Sequence, residues 1–441
     1  MARIASLSGF PEWLPEGRLV EQHVLDTLRS TFELHGFSGI ETRAVEPIEQ
    51  LLSKGETSKE VYLINRLQGD GNDGQLGLHF DLTVPLARYV LEHAGKLDFP
   101  FKRYQIQKVW RGERPQDGRF REFVQADVDV VGADTLAFHH EIELPLVMVD
   151  ALAKLPVPRV IVRASNRKVA QGFYEAIGIE DVEETLRIID KLDKVGPAVV
   201  AELLAERVGA SEEQARLALE LASITATDGS FADRIKALGQ TSELLEEGLE
   251  ELVNLVEGAN DLMPGSVMAD LKIARGLDYY TGSVFESTMI GHEDLGSVCS
   301  GGRYDSLVSD GKKTYPGVGL SIGVSRILGR VIGQDLARPS RKVPTCVLVA
   351  VNDESERRHA EKTAVALRAR GIPADVSPSS AKFGKQIRFA DKRGIPFVWF
   401  ATESGEQVKD IRSGEQVDAD AATWRPSDAD LSVQLLSGGD E

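Results

Sequence analysis

Val109-Trp110-Arg111-Gly112-Glu113-Arg114-Pro115-Gln116-Asp117-Gly118-Arg119-Phe120-Arg121-Glu122-Phe123 decides how the chain is to be read. An arginine closes a β-like run, a Pro/Gly turn follows, and a second run bearing arginines and aromatics returns. The segment therefore predicts an antiparallel hairpin that holds guanidinium groups around its loop. Such planar forks of N–H donors suit phosphate and carboxylate oxygens. An exposed hairpin with solvated charges would read the same way, so the flanking residues matter. Phe123, Gln125, Asp127 and Asp129 fall at every second residue and share one face of the returning strand. Polar residues on a run otherwise rich in valine predict a polar pocket.

Three further stretches carry the same kind of chemistry. Leu78-His79-Phe80-Asp81-Leu82-Thr83-Val84-Pro85 reads as a short strand with Asp81 and Thr83 on one side, although ordinary edge-strand polarity would also explain it. Arg275-Gly276-Leu277-Asp278-Tyr279-Tyr280-Thr281-Gly282 and Gly301-Gly302-Arg303-Tyr304-Asp305 combine glycines, which let a ligand approach the backbone, with tyrosines. Of the adjacent Tyr279 and Tyr280, one ring is expected in the core and one hydroxyl toward a site. Taken singly, each stretch could be a turn.

The 441 residues exceed what one hydrophobic core organises, so two or three domains are expected. After Pro15, Val20, Val24, Leu28 and Phe32 recur at helical spacing as far as Gly36. From Phe37 to about Val131 strand-like pieces dominate, broken most clearly at Gly69-Asp70-Gly71-Asn72-Asp73-Gly74, and antiparallel sheet is the expected content. Ala, Leu and Glu at helical spacing fill residues 167–263, read as an inserted helical domain. Strand-and-turn text resumes over 264–333. A linker at 334–343 precedes an α/β domain over 344–441, with strands at Thr345 to Val351, Ala374 to Ser377 and Ile395 to Ala401 and helices at Ser355 to Arg370 and Phe383 to Arg393. The first expected domain, 1–166, contains the hairpin.

The formal charge of -18 would disfavour a polyanionic partner if it were evenly spread, but it is not. Glu175 to Asp261 holds 21 acids against 7 bases, whereas Phe101 to Ala126 holds 7 bases against 3 acids and Arg341 to Arg412 holds 14 against 9. Two regions can still meet phosphate. With 42% apolar and 27% charged residues the composition is that of a soluble globular protein, and no stretch approaches the length of a membrane span. Cys299 and Cys346 cannot build a disulfide framework, which fits a reducing cytoplasm. A start without a continuous apolar core argues against export. Gly319-Leu320-Ser321-Ile322-Gly323 matches a hydrolase nucleophile elbow, yet only His359 lies downstream of it, so it is read as a glycine-rich strand. His139-His140-Glu141 lacks the spacing of a zinc helix.

Taken together, these segments resemble the class II aminoacyl-tRNA synthetases, and Arg275 to Tyr280 with Gly301 to Asp305 resembles the signature pair of the histidyl-tRNA synthetase family. Val45 to Glu49 looks like its dimer-forming motif 1, the Arg111 hairpin like motif 2, and Gly317 to Leu328 like motif 3. The resemblance implies an α+β fold: an antiparallel-sheet catalytic domain with the helical insertion, followed by an anticodon-binding domain. It implies a homodimeric cytoplasmic ligase that activates L-histidine with ATP and passes the aminoacyl group to tRNA(His). Arg111 and Arg275 would converge on the α-phosphate and substrate carboxylate. Glu113, Arg119, Phe123 and Arg326 would hold ATP, with Arg111, and Mg2+ is expected on the outer phosphates, without a protein-caged metal. Asp81, Leu82, Thr83, Gln125, Asp129, Tyr279, Tyr280 and Tyr304 would line the histidine pocket together with the two arginines, Asp81 and Thr83 taking the ammonium and Asp129 a donating imidazole nitrogen. Asp81-Leu82-Thr83 and Asp129 are the variant associated with eukaryote-like members, where many bacterial members carry Glu-Gly-Thr and Glu.

For tRNA, the resemblance places Arg114 and Gln116 at the acceptor end and Lys382, Lys385, Arg388, Lys392 and Arg393 on a basic helix facing the anticodon arm. No editing domain is expected. Two rivals remain at this point. One is a synthetase-like regulatory subunit of ATP phosphoribosyltransferase, which binds histidine without charging tRNA; the other is a prolyl or threonyl synthetase.

Overall fold

The computed structural model describes residues 5–52, 60–67, 75–274, 279–402 and 405–438. By contacts the chain forms two compact units, Met1–Pro11 with Leu25–Arg330, and Glu12–Val24 with Val331–Glu441. The predicted turn at Gly69 to Gly74 lies outside the described residues.

The first unit is organised by a nine-stranded sheet. Its strands run in the spatial order Ser38–Gly39, Phe101–Trp110, Glu122–Val131, Gly317–Gly323, Cys299–Tyr304, Ser283–Met289, Val160–Asn166, Val267–Asp270 and Thr225–Ala226. Pairing is antiparallel except where Ser38–Gly39 meets Phe101–Trp110 and Val160–Asn166 meets Val267–Asp270. The two ten-residue strands are the arms of the motif-2-like hairpin, and their register sets Arg103 opposite Asp129, Gln105 opposite Asp127 and Gln107 opposite Gln125. On the other side of the returning arm, Ser321 lies opposite Asp127 and Gly319 opposite Asp129. Because side chains alternate along a strand, this register gathers the polar residues of three strands on one face. Val124, Ala126, Val128 and Val130 go to the other face and are buried. The helix His139–Ala153, with Leu144, Val147, Met148 and Ala151 buried, packs on these strands.

The expected strand across Leu78 to Pro85 is wrong in most of its length. Only Leu76–Leu78 is extended, and Thr83–His93 is a helix. Asp81 Oδ1 accepts the Val84 backbone N–H at 3.1 Å, satisfying a donor the first turn would leave open. Pro85 sits in that first turn, where its missing N–H costs nothing. The stretch 167–263 is helical, with caps from Asn166, Asp181, Ser211 and Ser242. It lies within the first unit, and Thr225–Ala226 extends the sheet edge.

In the second unit a five-stranded sheet runs Ala374–Val376, Val347–Val349, Phe397–Thr402, Gly405–Asp410, Gln416–Asp418, parallel for the first three strands and antiparallel beyond. Val347 and Val349 face the helix Arg357–Ala369 through Ala360, Ala364 and Leu367, while Leu348 and Ala350 pack with Ala390 of the helix Phe383–Arg393. Covering on both faces explains the uninterrupted apolar run. The expected linker is partly a strand, since Ala337–Pro339 pairs antiparallel with Leu435–Ser437. Among the described residues no helix is long and apolar enough to cross a membrane.

Candidate active site

Two adjoining cavities open on the polar face of the first unit's sheet. The larger, of about 260 Å³, is lined by Arg111, Glu113, Arg119, Phe123, Gln125 and Arg326 among others. Arg111 ends the outgoing hairpin arm. Its backbone N–H donates to Arg121 O at 2.9 Å, and its Nε donates to Phe80 O at 2.9 Å. The guanidinium carbon stands 5.2 Å from the centre of the Phe123 ring, a cation–π distance that fixes the fork's plane. Arg326 donates through Nε to Gly118 O at 3.1 Å and through Nη1 to Ser297 O, tying the hairpin turn to the neighbouring loop. Gly118 is left-handed, with φ +65°, and a β-carbon there would fall 2.4 Å from Leu295 Cδ1, so the turn closes this tightly only with glycine. Arg119 and Glu113 approach to 3.9 Å at the cleft mouth, a loose exposed pair of little energetic weight. Glu113 is the one carboxylate among these lining residues, so the cleft is cationic and suited to phosphate.

The smaller cavity, about 30 Å³, is lined by Thr83, Asp127, Asp129, Tyr280 and Tyr304, and shares Ser300 and Ser321 with the larger one. Asp129 is held at both oxygens: Oδ2 lies 2.7 Å from Arg103 Nη2, and Oδ1 accepts the Tyr304 hydroxyl at 2.8 Å. Arg103 is completely buried. Burial drives the Tyr280 and Tyr304 hydroxyls well above their ordinary pKa, so both are neutral donors. Burial also pushes Asp127 up to about 7, against the pull of Arg103 and with repulsion from Asp129 and Asp81. The recess is acidic, with tyrosine hydroxyls at its wall, and suits a small cationic group.

The glycine-rich strand Gly317–Gly323 makes room for these side chains. A β-carbon on Gly319 would lie 1.9 Å from Asp129 Oδ1, and one on Gly317 would lie 2.3 Å from Tyr304 Cε2. Gly319→Ala is therefore expected to cost about 1–3 kcal/mol of stability by overpacking and to displace the Asp129 carboxylate. Chemical denaturation checks the first, and a crystal structure of the variant checks the second. Ser321, centre of the hydrolase-like match, accepts from Gln125 Nε2 at 2.5 Å.

The structure thus gathers Arg111, Glu113, Arg119, Phe123, Gln125 and Arg326 around one cavity and Thr83, Asp129, Tyr280 and Tyr304 around the other. Asp81 and Leu82 are buried beside them without lining either, and the Leu82 carbonyl lies 3.4 Å from Arg103 Nη2. Of the two adjacent tyrosines, Tyr280 lines the smaller cavity and Tyr279 does not. Both are partly buried, with ring centres 4.2 Å apart, and both pack on one apolar cluster. Arg275 lies outside the described residues. Arg114 and Gln116 are exposed on the hairpin loop. In the second unit Lys382, Lys385, Arg388 and Lys392 are exposed on or beside the helix Phe383–Arg393, and Arg393 lies over Phe389 at 4.9 Å. Arg103 and Ser321 were missed as site residues. Alternation puts Arg103 in phase with Gln105 and Gln107, but only the pairing register shows that it faces Asp129. Among the described residues no group of three His, Cys, Asp or Glu could hold a metal.

Comparison with known proteins agrees with this arrangement. A family model described as histidyl-tRNA synthetase matches residues 9–327, and one described as an anticodon binding domain matches residues 345–422. A histidine–tRNA ligase of Micrococcus luteus is 57% identical over the full length of both chains, and one of Cutibacterium acnes is 55% identical over 99% of each. The crystal structure of histidyl-tRNA synthetase from Nostoc sp. PCC 7120 superposes with a TM-score of 0.86 at 36% identity, covering 96% of this chain and 98% of that one. A motif-2-like hairpin lining a cationic cleft, an adjoining acidic recess and full-length likeness agree on one conclusion: this chain belongs to the histidyl-tRNA synthetase family.

Proposed function

We propose that this chain is a histidine–tRNA ligase, converting L-histidine and ATP to histidyl adenylate and diphosphate, then transferring the aminoacyl group to the 3' end of tRNA(His) with release of AMP. The observation that carries this reading is the adjacency of the cationic cleft and the acidic recess, which share Ser300 and Ser321. Adenylation displaces diphosphate in line at the α-phosphorus, so positioning and charge stabilisation matter more than a protein nucleophile. Arg111 and Arg275 hold the α-phosphate and the substrate carboxylate. Glu113, Arg119, Phe123 and Arg326 hold ATP. Gln125, Asp129, Tyr280 and Tyr304, with Asp81, Leu82, Thr83 and Tyr279 around them, form the amino-acid pocket, and Tyr304 keeps Asp129 aimed at the imidazole.

Glu113, the one carboxylate among the residues lining the cleft, would help hold Mg2+ beside the ATP phosphates. Mg2+ held there would supply neutralisation of charge on the outer phosphates. The catalytic part spans 1–166 and 264–333, with 167–263 inserted and 344–441 binding the anticodon arm after the segment 334–343. The enzyme acts in the cytoplasm as a homodimer formed through the Val45 to Glu49 region.

Arg114 and Gln116 face the acceptor end, and Lys382, Lys385, Arg388, Lys392 and Arg393 face the anticodon arm. Charge reversal at Lys385 and Arg388 is expected to weaken tRNA charging increasingly as salt is raised, because each lost phosphate contact also loses counterion release. ATP–pyrophosphate exchange should stay intact, and equal loss of both activities would refute the assignment. Histidine-dependent exchange, run beside proline and threonine, tests the function itself. No exchange at all would favour a histidine-binding regulatory role, which the match of residues 345–422 to an anticodon-binding domain and the presence of Arg111 and Arg326 in the cleft disfavour.

A further inference from the structure

Arg330, in the last turn of the helix Val324–Gly333, is 5% exposed and does not line the cavity that Arg326 of the same helix lines. Its Nη2 donates to Asp117 Oδ2 at 2.9 Å and to Asp294 Oδ2 at 2.7 Å, and its Nη1 donates to Asp294 Oδ1 at 3.2 Å. Nη1 also stands 3.1 Å from His292 Nδ1, and since arginine can only donate, that ring nitrogen accepts. Asp117 belongs to the hairpin turn, whose Gly118, Arg119 and Phe120 form one wall of the larger cavity. Asp294 lies in the turn Glu293–Leu295, which leads into Ser297, Val298 and Cys299 on a second wall. One buried cation thus joins two walls of the cleft from outside it.

Arg326 braces the same two walls, through Gly118 O and Ser297 O. Residues 326, 329 and 330 share one helix face, and a β-carbon on Gly329 would stand 3.2 Å from Phe120 Cζ, so the turn rests closely on that face. The two braces differ in what is asked of them. Arg326 lines the cavity, and a guanidinium that turns its N–H groups to a phosphate gives up carbonyls it held before. Arg330 has its N–H groups on carboxylates, which hold arginine more strongly than carbonyls do because both partners are charged. Asp294 is gripped through both oxygens, a fork that fixes direction as well as distance, and Nη2 still reaches the turn. The Asp117 and Asp294 side chains are themselves largely exposed, so removing either carboxylate leaves the core intact.

We propose that Arg330 is a positioning residue that sets the width of the nucleotide cleft, holding the hairpin turn against the segment 293–300 while Arg326 is occupied by phosphate; this rests on the larger cavity being the ATP site. The test is ATP–pyrophosphate exchange by the full chain, Asp117→Ala, Arg330→Met, the double variant and Arg326→Met, with ATP and histidine varied in turn. Asp117→Ala should raise the ATP KM about three- to fivefold, the range of an exposed ion pair. Arg330→Met, which frees both walls, should raise it about tenfold. Both kcat and the histidine KM should stay within about twofold of the parent's, because a wall set before the reaction serves ground state and transition state alike. The double variant should match Arg330→Met, since Asp117 acts through that arginine. Melting temperatures report folding, and Asp117→Ala decides alone should Arg330→Met fail to fold. Equal rises in both KM values, or effects that multiply in the double variant, overturn the proposal. So does an ATP KM unchanged in Asp117→Ala and Arg330→Met while Arg326→Met is impaired. If Arg326→Met uses ATP as the parent does, the ATP-site assignment fails and takes the proposal with it.

Discussion

Arg111→Gln is expected to lower the rate of histidyl adenylate formation by on the order of 10²–10³-fold, the usual consequence of removing one preorganised donor from a site of developing charge. The geometry explains why the loss should fall on chemistry rather than on folding. Arg111 is only partly buried, and the hydrogen bond from its Nε to Phe80 O, with the Phe123 ring beneath it, orients the group without sealing it in the core. Glutamine keeps some polarity and length but loses both the charge and the second N–H of the fork. Arg111→Lys restores the charge without the fork and should recover little of the rate, because bidentate recognition depends on planarity. Single-turnover adenylate formation checks this directly. A variant whose only defect is a raised ATP KM would show that Arg111 binds ground state and transition state alike.

The parts of this molecule that could be read in its sequence are those specified locally. The helix Phe383–Arg393 was expected with both ends correct: its basic face repeats at helical spacing, and Gly394 follows with φ +70°, the usual left-handed stop. The hairpin was equally clear, because its Pro/Gly turn joins two arms of matching length. Thr83–His93 was missed because Thr, Val and Pro at a helix start look like the end of a strand, and the cap comes from Asp81, one residue ahead of the position where a cap is normally sought. The pairing of Ala337–Pro339 with Leu435–Ser437 joins segments at opposite ends of the second unit, a contact that no local pattern encodes. The same reason hid Arg103. Alternation gives the face a side chain occupies, whereas pairing register gives its partner, and register between distant strands is a tertiary property.

Arg103→Met is expected to destabilise the chain by about 3–5 kcal/mol, the usual cost of removing one partner from a buried ion pair. Arg103 has no solvent exposure, and its guanidinium is 2.7 Å from Asp129 and 4.0 Å from Asp127, with both carboxylates themselves buried. Methionine fills much of the volume, so the loss would reflect stranded charge more than a cavity. The pH dependence separates these two causes. Burial already raises Asp127 to about 7, above its unfolded value of 3.8, so the favourable contribution of its protonated form is complete below the unfolded value and is lost as pH rises through 7. Arg103 pulls the Asp127 pKa down, so without it the folded-state pKa of Asp127 rises further and the penalty for ionising it in place grows. The deficit of Arg103→Met relative to the parent should therefore be largest at pH 8 and shrink toward pH 5.5, where Asp127 is protonated in parent and variant alike. Urea denaturation at the two pH values measures it. A deficit that does not change with pH would mean that Arg103 acts through packing, and its pairing with the aspartates would then count for little in the stability of this site.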